Sequence, residues 1–497
     1  MHKLAIVSLS FSIAVSSGAC ARQQQEAGTL QAAAAALGTN ELRSIEYSGS
    51  GKWFQFGQAP DPAGPWPAFN VSSFTASINF EAPAARVQME RIQVVEPDRT
   101  RPPPVQQRPV QVVSGAHAWN MSPPPGAAPG TAPAPQPQPA AVEERTMEIW
   151  TTPHGFLKAA AANNATSQPA SDGSEISFTM GKHRYVGRIN AQNQVERVQT
   201  WIDNTVLGDT PIEISYSDYR DFNGVMFPAR IARAQGGHPV LDLTVSAVTA
   251  NAPVDIQVPD QVRDFTPPAV NVEMEKLATG VYYVKGGSHH SVAIDQRDHI
   301  VVVEAPQDEA RSLAVIAAVK ETIPNKPIRY VINSHVHFDH SGGLRTYVAE
   351  GATVVTHQMN RPYYERAWAA PRTLNPDKLA QASGSTATFE TFAEKHVLTD
   401  GRRVIEVHPM VGNGHNDAFA MVYLPTEKIL IEVDAWAPAA PNAPAPSAPS
   451  PFAVNLYENI RRLKLDVRQI AALHGPRVAT LKDLQSAVGA TNTSSTH

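Results

Sequence analysis

Cysteine is all but missing from these 497 residues, the single one being Cys20. Without a second thiol the chain has no internal disulfide, no thiolate metal cage and no buried cysteine nucleophile, so its chemistry rests on His, Asp, Glu or hydroxyls. A basic surplus is missing too: 41 Lys and Arg stand against 46 Asp and Glu, a formal net charge of -5. Nucleic-acid recognition usually draws on clustered Lys and Arg, so no nucleic-acid partner is expected. Beyond the N-terminal segment no apolar run approaches the ~20 residues of a membrane span. With 42% hydrophobic and 18% charged residues the composition is that of a globular protein. At roughly 150 residues per domain, the length implies two or three domains.

Residues 1–21 read as an export signal, with Lys3 as a positive start, Leu4 to Val15 as an apolar run and Ser16-Ser17-Gly18 as a small-residue exit. Ala19-Cys20-Ala21 fits an A-x-A cleavage site, while Cys20 is alternatively the lipidated first residue of an anchored protein. The first is preferred, because Ser17 stands where a lipoprotein signal normally carries an aliphatic residue. A periplasmic location follows, or membrane anchoring only through Cys20.

Residues 22–40, with their Gln and Ala runs, read as a leader or linker outside the core. Residues 41–266 read as a β-rich domain. Lys182–Asn190, Gln194–Asp203, Ile212–Tyr219, Val225–Ala234 and Val240–Thr249 are rich in β-branched and aromatic residues with turn residues between them, which predicts an antiparallel meander. Within it, residues 101–140 are crowded with proline and predict an extended insertion crossing no core. Residues 270–490 alternate strand and helix patterns, an α/β signature. Ser291–Ile294, His299–Glu304 and Ile328–Asn333 are its strands, Glu309–Thr322 is a helix, and the Pro/Ala segment Ala437–Pro451 interrupts it late.

The chemistry concentrates in Asn333-Ser334-His335-Val336-His337-Phe338-Asp339-His340-Ser341-Gly342-Gly343, directly after an apolar strand. Residues two apart in an extended segment point the same way, so His335 and His337 can converge on one metal ion through imidazole nitrogens. Asp339 and His340 then face a second ion, and Gly342 and Gly343 let the backbone turn into a helix without a Cβ clash. Four potential ligands in six residues are hard to produce by chance. Three more candidates sit at strand ends: His415 in a Gly-rich loop before Ala418–Leu424, Asp434 after Ile429–Val433, and His474 after Ile470–Leu473.

This run, the later isolated His, the strand-terminal Asp and the final His-Gly resemble the five-part metal signature of the metallo-β-lactamase fold superfamily over roughly Val272 to Val488. The resemblance implies an αβ/βα sandwich in which His335, His337 and His415 bind a first metal, Asp339, His340 and His474 a second, and Asp434 bridges both. It also implies a hydrolase. The stretch Tyr216 to Pro228, YSDYRDFNGVMFP, and the strands around it resemble the half-barrel of periplasmic lipoprotein carriers.

Nitrogen and oxygen ligands without sulfur suit zinc, although manganese or iron tolerate the same set. Two divalent ions only partly offset by two carboxylates favour an anionic or acyl-bearing small substrate. The expected reaction is attack of a metal-bound hydroxide, its pKa lowered to roughly 7, on the carbonyl of an ester, lactone, thioester or amide, with Asp339 orienting the nucleophile. Hydrolysis of a β-lactam is a lesser expectation, because an Asp stands at the bridging position where one β-lactamase group uses Cys and another has no bridging acid. The competing readings are a periplasmic lipid- or acyl-binding protein with a vestigial metal domain, and a diiron redox protein, which would carry a carboxylate in place of His337.

Other candidates carry bland readings beside the functional ones. Glu432, two residues before Asp434, is an alternative bridge. His289 and His290 lie on an early loop that can reach the cleft but read first as exposed loop groups. His357, His396 and His408 read as structural or surface histidines. Tyr457 is a candidate oxyanion donor, though beside Leu456 and Ile460 it reads first as core.

Overall fold

The structure, a computed structural model, describes residues 28–124, 130–382, 386–440 and 448–490. The expected export signal and Cys20 lie outside the described residues, as does part of the late Pro/Ala segment. Two assemblies follow one another along the chain, a large antiparallel sheet and then a pair of mixed sheets with helices.

The first sheet has thirteen strands, running from Ser44–Phe54 to His238–Ala250 in chain order. The five strands expected from alternation form consecutive antiparallel neighbours, with Val225–Gln235 pairing Gly208–Phe222 on one side and His238–Ala250 on the other. The sheet stays open, its edges being Ala134–Pro137 and Thr166–Ala170. A large antiparallel sheet thus occupies the region where a half-barrel is expected, and no closed barrel occurs among the described residues. Val142–Thr151 and Pro153–Ala162 lay Met147, Ile149, Phe156 and Leu157 onto one face, against Tyr47, Ile212 and Phe227. Pro153 opens its helix without losing a bond, because an N–H at that position has no intrahelical partner.

Two expectations need correction here. Residues 28–36 of the expected leader are helical, and Ala33 and Leu37 sink fully into the core, because Ala and Leu at helical spacing present an apolar stripe to the sheet. The proline-rich stretch 101–140 also contributes to the core. It supplies the strands Val110–Ser114, His117–Ser122 and Ala134–Pro137, and it buries Val112, Val113, Ala118 and Trp119. Proline is tolerated because Pro135 and Pro137 sit on the outermost strand, where a missing N–H breaks no ladder.

In the second assembly Glu273–Ala278, Val281–Lys285, Ser291–Asp295 and Ile300–Val303 run antiparallel, followed by the parallel strands Ile328–Ile332, Thr353–His357 and Phe389–Phe392. A six-stranded sheet from His396–Thr399 to Val478–Thr480 faces it. Along Ile300–Val303 the side chains alternate between two cores. Val301 and Val303 meet Val422 and Leu430 of the facing sheet, while Ile300 and Val302 meet Val315 and Val319 of the helix Glu309–Thr322. Burial on both faces explains the uninterrupted apolar strands. Pro451–Arg462 and Leu481–Ala487 cover the outer side of the second sheet through Leu456, Ile460 and Leu484. The order is helix, sheet, sheet, helix.

The two assemblies are latched together. Arg372 is 8% exposed and donates from Nη1 to the carbonyls of Asn204 and Thr205 and from Nη2 to that of Val206. Arg99 grips Asp417 through two hydrogen bonds of 2.8 and 2.7 Å.

Candidate metal centre

The strand Ile328–Ile332 delivers the histidine run to the rim of the sheet, and Asn333 shapes the loop that follows. Its Nδ2 donates to the carbonyl of His335 at 2.9 Å, while its Oδ1 accepts from Tyr364 at 2.7 Å and Thr356 at 3.2 Å. Gly342 is required by close approach, since a Cβ there would lie 1.8 Å from the carbonyl oxygen of Gln307. The chain can therefore turn into Leu344–Ala349 only with no side chain at that point.

Seven candidates from four separate stretches come together. His335, His337, His415 and Asp434 form one group and Asp339, His340 and His474 fall in a second, with the ligand atoms of each group lying within 4.8 Å of one another. Asp434 lies between them. Its Oδ2 is 3.0 Å from His340 Nε2, 3.0 Å from His415 Nε2 and 3.5 Å from His335 Nε2, while its Oδ1 is 2.5 Å from His474 Nδ1. Its backbone is left-handed at φ 55, a sparsely populated conformation for a non-glycine residue. Glu432 holds that bend by accepting from the N–H groups of Ala435 and Trp436, so the alternative bridge serves the turn instead.

Three of the imidazoles are oriented by a partner on the far nitrogen. His335 Nδ1 lies 2.8 Å from Ser334 Oγ, which turns Nε2 inward. His337 uses Nε2 to donate to the carbonyl of Ala59 at 3.0 Å, and His340 uses Nδ1 to donate to Glu304 at 3.2 Å. The inward atoms, His337 Nδ1 and His340 Nε2, are buried; His340 Nε2 faces Asp434, and His337 Nδ1 has no hydrogen-bond partner among the described residues. His415 Nε2 and His335 Nε2 face each other at 3.2 Å. Ring nitrogens converging beside a carboxylate suit a cation, and an all-nitrogen-and-oxygen donor set suits a divalent one.

The electrostatics agree. Burial pushes His335 down to about 3 and holds His337 well below its ordinary value, so both rings are neutral at pH 7. Burial works against protonated His340 as well, yet Asp434, Glu304 and Asp339 outweigh it and raise His340 well above its usual value. Burial alone would raise Asp434, but His340, His335 and His415 hold it well below the carboxylate range. This pocket is built for positive charge.

Four contributors were not singled out from the sequence. Glu304, fully buried, also accepts from the N–H of Ser334 at 2.6 Å. Gln58 donates to Asp339 Oδ1 at 2.9 Å, and Ala59 offers its carbonyl to both His337 and Asn416. Phe56 packs edge-on to Phe338 at 5.1 Å. Glu304 carries only the weak signal of an acid ending an apolar strand; the other three belong to the first assembly and give no local signal. His289, read first as an exposed loop group, is 8% exposed and belongs to the second donor group, whereas His290 bonds only backbone. His408 pairs with Glu406 at 2.9 Å and His357 meets Phe392 edge-on, away from both groups. Tyr457 packs against the core, its hydroxyl 3.5 Å from Gln485 Nε2. The cleft above the donors, of about 650 Å³, is lined by Gln58, Ser288, Phe452 and Pro476.

Residues 284–431 match the family described as the Metallo-beta-lactamase superfamily, and this C-terminal region has the metallo-β-lactamase fold. Comparison with curated proteins gave no match. Among solved structures, the chain is similar to a metallo-beta-lactamase from Pontibacter korlensis at 18% identity and a TM-score of 0.34, over 44% of this chain and 98% of that one. A metallo-beta-lactamase from Hirschia baltica matches at 18% identity and a TM-score of 0.32, over 44% of this chain and 96% of the other. The FIM-1 metallo-beta-lactamase from Pseudomonas aeruginosa matches at 16% identity and a TM-score of 0.33, over 45% of this chain and 96% of its own. The family match and the donor groups support a metal-dependent hydrolase in general.

Proposed function

We propose that this protein is an exported hydrolase that uses two divalent cations, zinc foremost, to cleave a carbonyl compound such as an ester, lactone, thioester or amide. The observation that carries this reading is Asp434, whose two oxygens face the two donor groups from a single side chain. Two bound cations would supply a water acidic enough to ionise near neutral pH and a Lewis acid for the carbonyl oxygen. The residues of the chain do the rest. His335, His337 and His415 would hold one cation, and Asp339, His340 and His474 the other. Asp339 has one oxygen on Gln58 and the other toward His289 and His340, which fixes its plane at the cleft floor. From there it can orient a nucleophile. Two carboxylates against two divalent charges leave the floor positive, which favours an anionic or acyl-bearing small substrate. Residues 1–21 support export, with Cys20 as an alternative anchor.

One observation favours a second reading, an acyl-binding protein. A cavity of about 320 Å³ lies between the thirteen-stranded sheet and its helices, walled by Tyr47, Phe74, Ile78 and Phe227 with Arg233 and Glu148 at one side. Such a mixture is common in small-molecule sites. Metal analysis of the purified protein together with an ester, lactone, thioester and β-lactam panel separates the two. About two zinc equivalents per chain are expected, with activity lost on chelation and regained with zinc. Absence of metal together with co-purified lipid would favour the binding protein instead.

A further inference from the structure

We propose that His289 is an additional metal ligand, completing the second donor group with Asp339, His340 and His474; the proposal rests on the two-cation reading above. His289 lies in Gly286-Gly287-Ser288-His289-His290, the loop after the strand Val281–Lys285. Its Nδ1 is engaged by Ser288 Oγ at 2.8 Å, which leaves Nε2 to face inward, 3.3 Å from Asp339 Oδ2. The ring stacks on His474 with centroids 4.0 Å apart and lies 5.0 Å from His340. An imidazole with its outer nitrogen tied and its inner nitrogen among other donors is the usual posture of a metal-binding histidine.

The neighbouring residue provides an internal control. His290 Nδ1 accepts from the N–H of Gly286 at 3.1 Å, and its Nε2 donates to the carbonyl of Gly475 at 2.8 Å. Both nitrogens are consumed by backbone, so His290 ties the loop to the turn after His474 and has nothing left for a ligand. The loop is fixed from a second side by Arg311, which donates to the carbonyl of His289 at 2.9 Å. Arg311 reaches it only because position 286 is glycine: a Cβ there would lie 1.3 Å from the guanidinium. The chain thus spends a second histidine, an arginine and a glycine on holding one imidazole in place.

With His289 counted, each donor group contains three imidazoles and one carboxylate: His335, His337, His415 and Asp434 in the first, and His289, His340, His474 and Asp339 in the second. Asp434 reaches this group as well, 3.0 Å from His340 Nε2, so His289 adds a donor beyond the bridging carboxylate and strengthens the hold on the second cation.

The test is titration of the full-length, metal-stripped protein with cobalt(II) alone, read by equilibrium dialysis and by visible absorption. The wild type is expected to bind two equivalents. His289→Gly is expected to keep the first and to bind the second at least about tenfold more weakly, with added imidazole restoring part of the loss. His290→Gln is expected to lower the thermal midpoint while leaving two equivalents bound. If His289→Gly binds two equivalents with wild-type affinity and spectrum, the assignment is overturned while the two-cation reading stands. If the wild type itself binds fewer than two, both fall. Should His289→Gly fail to fold, His289→Asn gives the same readings, with an unchanged second affinity again counting against the ligand.

Discussion

Gln58 donates from Nε2 to Oδ1 of Asp339 at 2.9 Å, joining side chains 281 positions apart and in different assemblies. The bond occupies the oxygen of Asp339 that points away from His289 and His340, so Oδ2 alone is turned toward the second donor group. Partners of this kind typically contribute 10- to 100-fold in metal affinity.

Gln58→Ala should therefore weaken the second cation by roughly tenfold or more, and Gln58→Glu by more still, because a like charge would then face Asp339. Calorimetric titration of zinc into metal-stripped protein reads both. Equal affinity in wild type and the two variants would remove Gln58 from the site.

Glu304 supports the centre from below. Glu304→Ala leaves the His340 Nδ1–H and the Ser334 N–H without acceptors in a fully buried place, at about 1–3 kcal/mol each. Glu304→Gln keeps one acceptor oxygen and should lose about half as much. Urea midpoints at one pH give the comparison, and a loss from Ala no larger than that from Gln would contradict it.

His154 sets an acid limit on the first assembly. It is fully buried, stacked on Phe227, with Nε2 bonded to the carbonyl of Leu37 at 3.0 Å, and burial pushes it down to about 4. The folded state refuses a proton that the unfolded chain accepts below about pH 6.5, so stability from this group is full above that pH and is lost progressively down to about pH 4. The loss amounts to about 3 kcal/mol. His154→Gln, which keeps a donor and does not titrate, should flatten the decline in chemical denaturation between pH 7 and 4.5. An unchanged slope would show that other groups govern it.

Arg372 should govern whether the two assemblies unfold together. Removing three charge-assisted bonds to Asn204, Thr205 and Val206 in Arg372→Ala is expected to cost about 3 kcal/mol and to split one calorimetric transition into two. A single transition at the wild-type temperature would assign the coupling elsewhere.

The donors near one another in the chain were legible because local geometry dictates them. His335, His337, Asp339 and His340 occupy six consecutive positions after a strand, and His415, Asp434 and His474 each stand at a strand end, where side chains meet by topology. Asp434 is preferred to Glu432 from the sequence alone; what no pattern announces is that Glu432 accepts from Ala435 and Trp436 at the bend. His289 and His290 are identical in type and adjacent in sequence; what separates them is a hydroxyl at Ser288 and a carbonyl at Gly475, the latter 185 positions away. The proline-rich stretch misled because proline excludes only the inside of a sheet, and its strand Ala134–Pro137 runs along the border.

The hydrogen bond from His337 to the carbonyl of Ala59 has a further consequence. A main-chain oxygen cannot be erased by exchanging a side chain; it disappears only when its whole loop goes elsewhere. Recombination that grafts the C-terminal half onto a foreign neighbour would hand over a histidine free to present the wrong nitrogen, so these two halves have reason to be inherited as one piece.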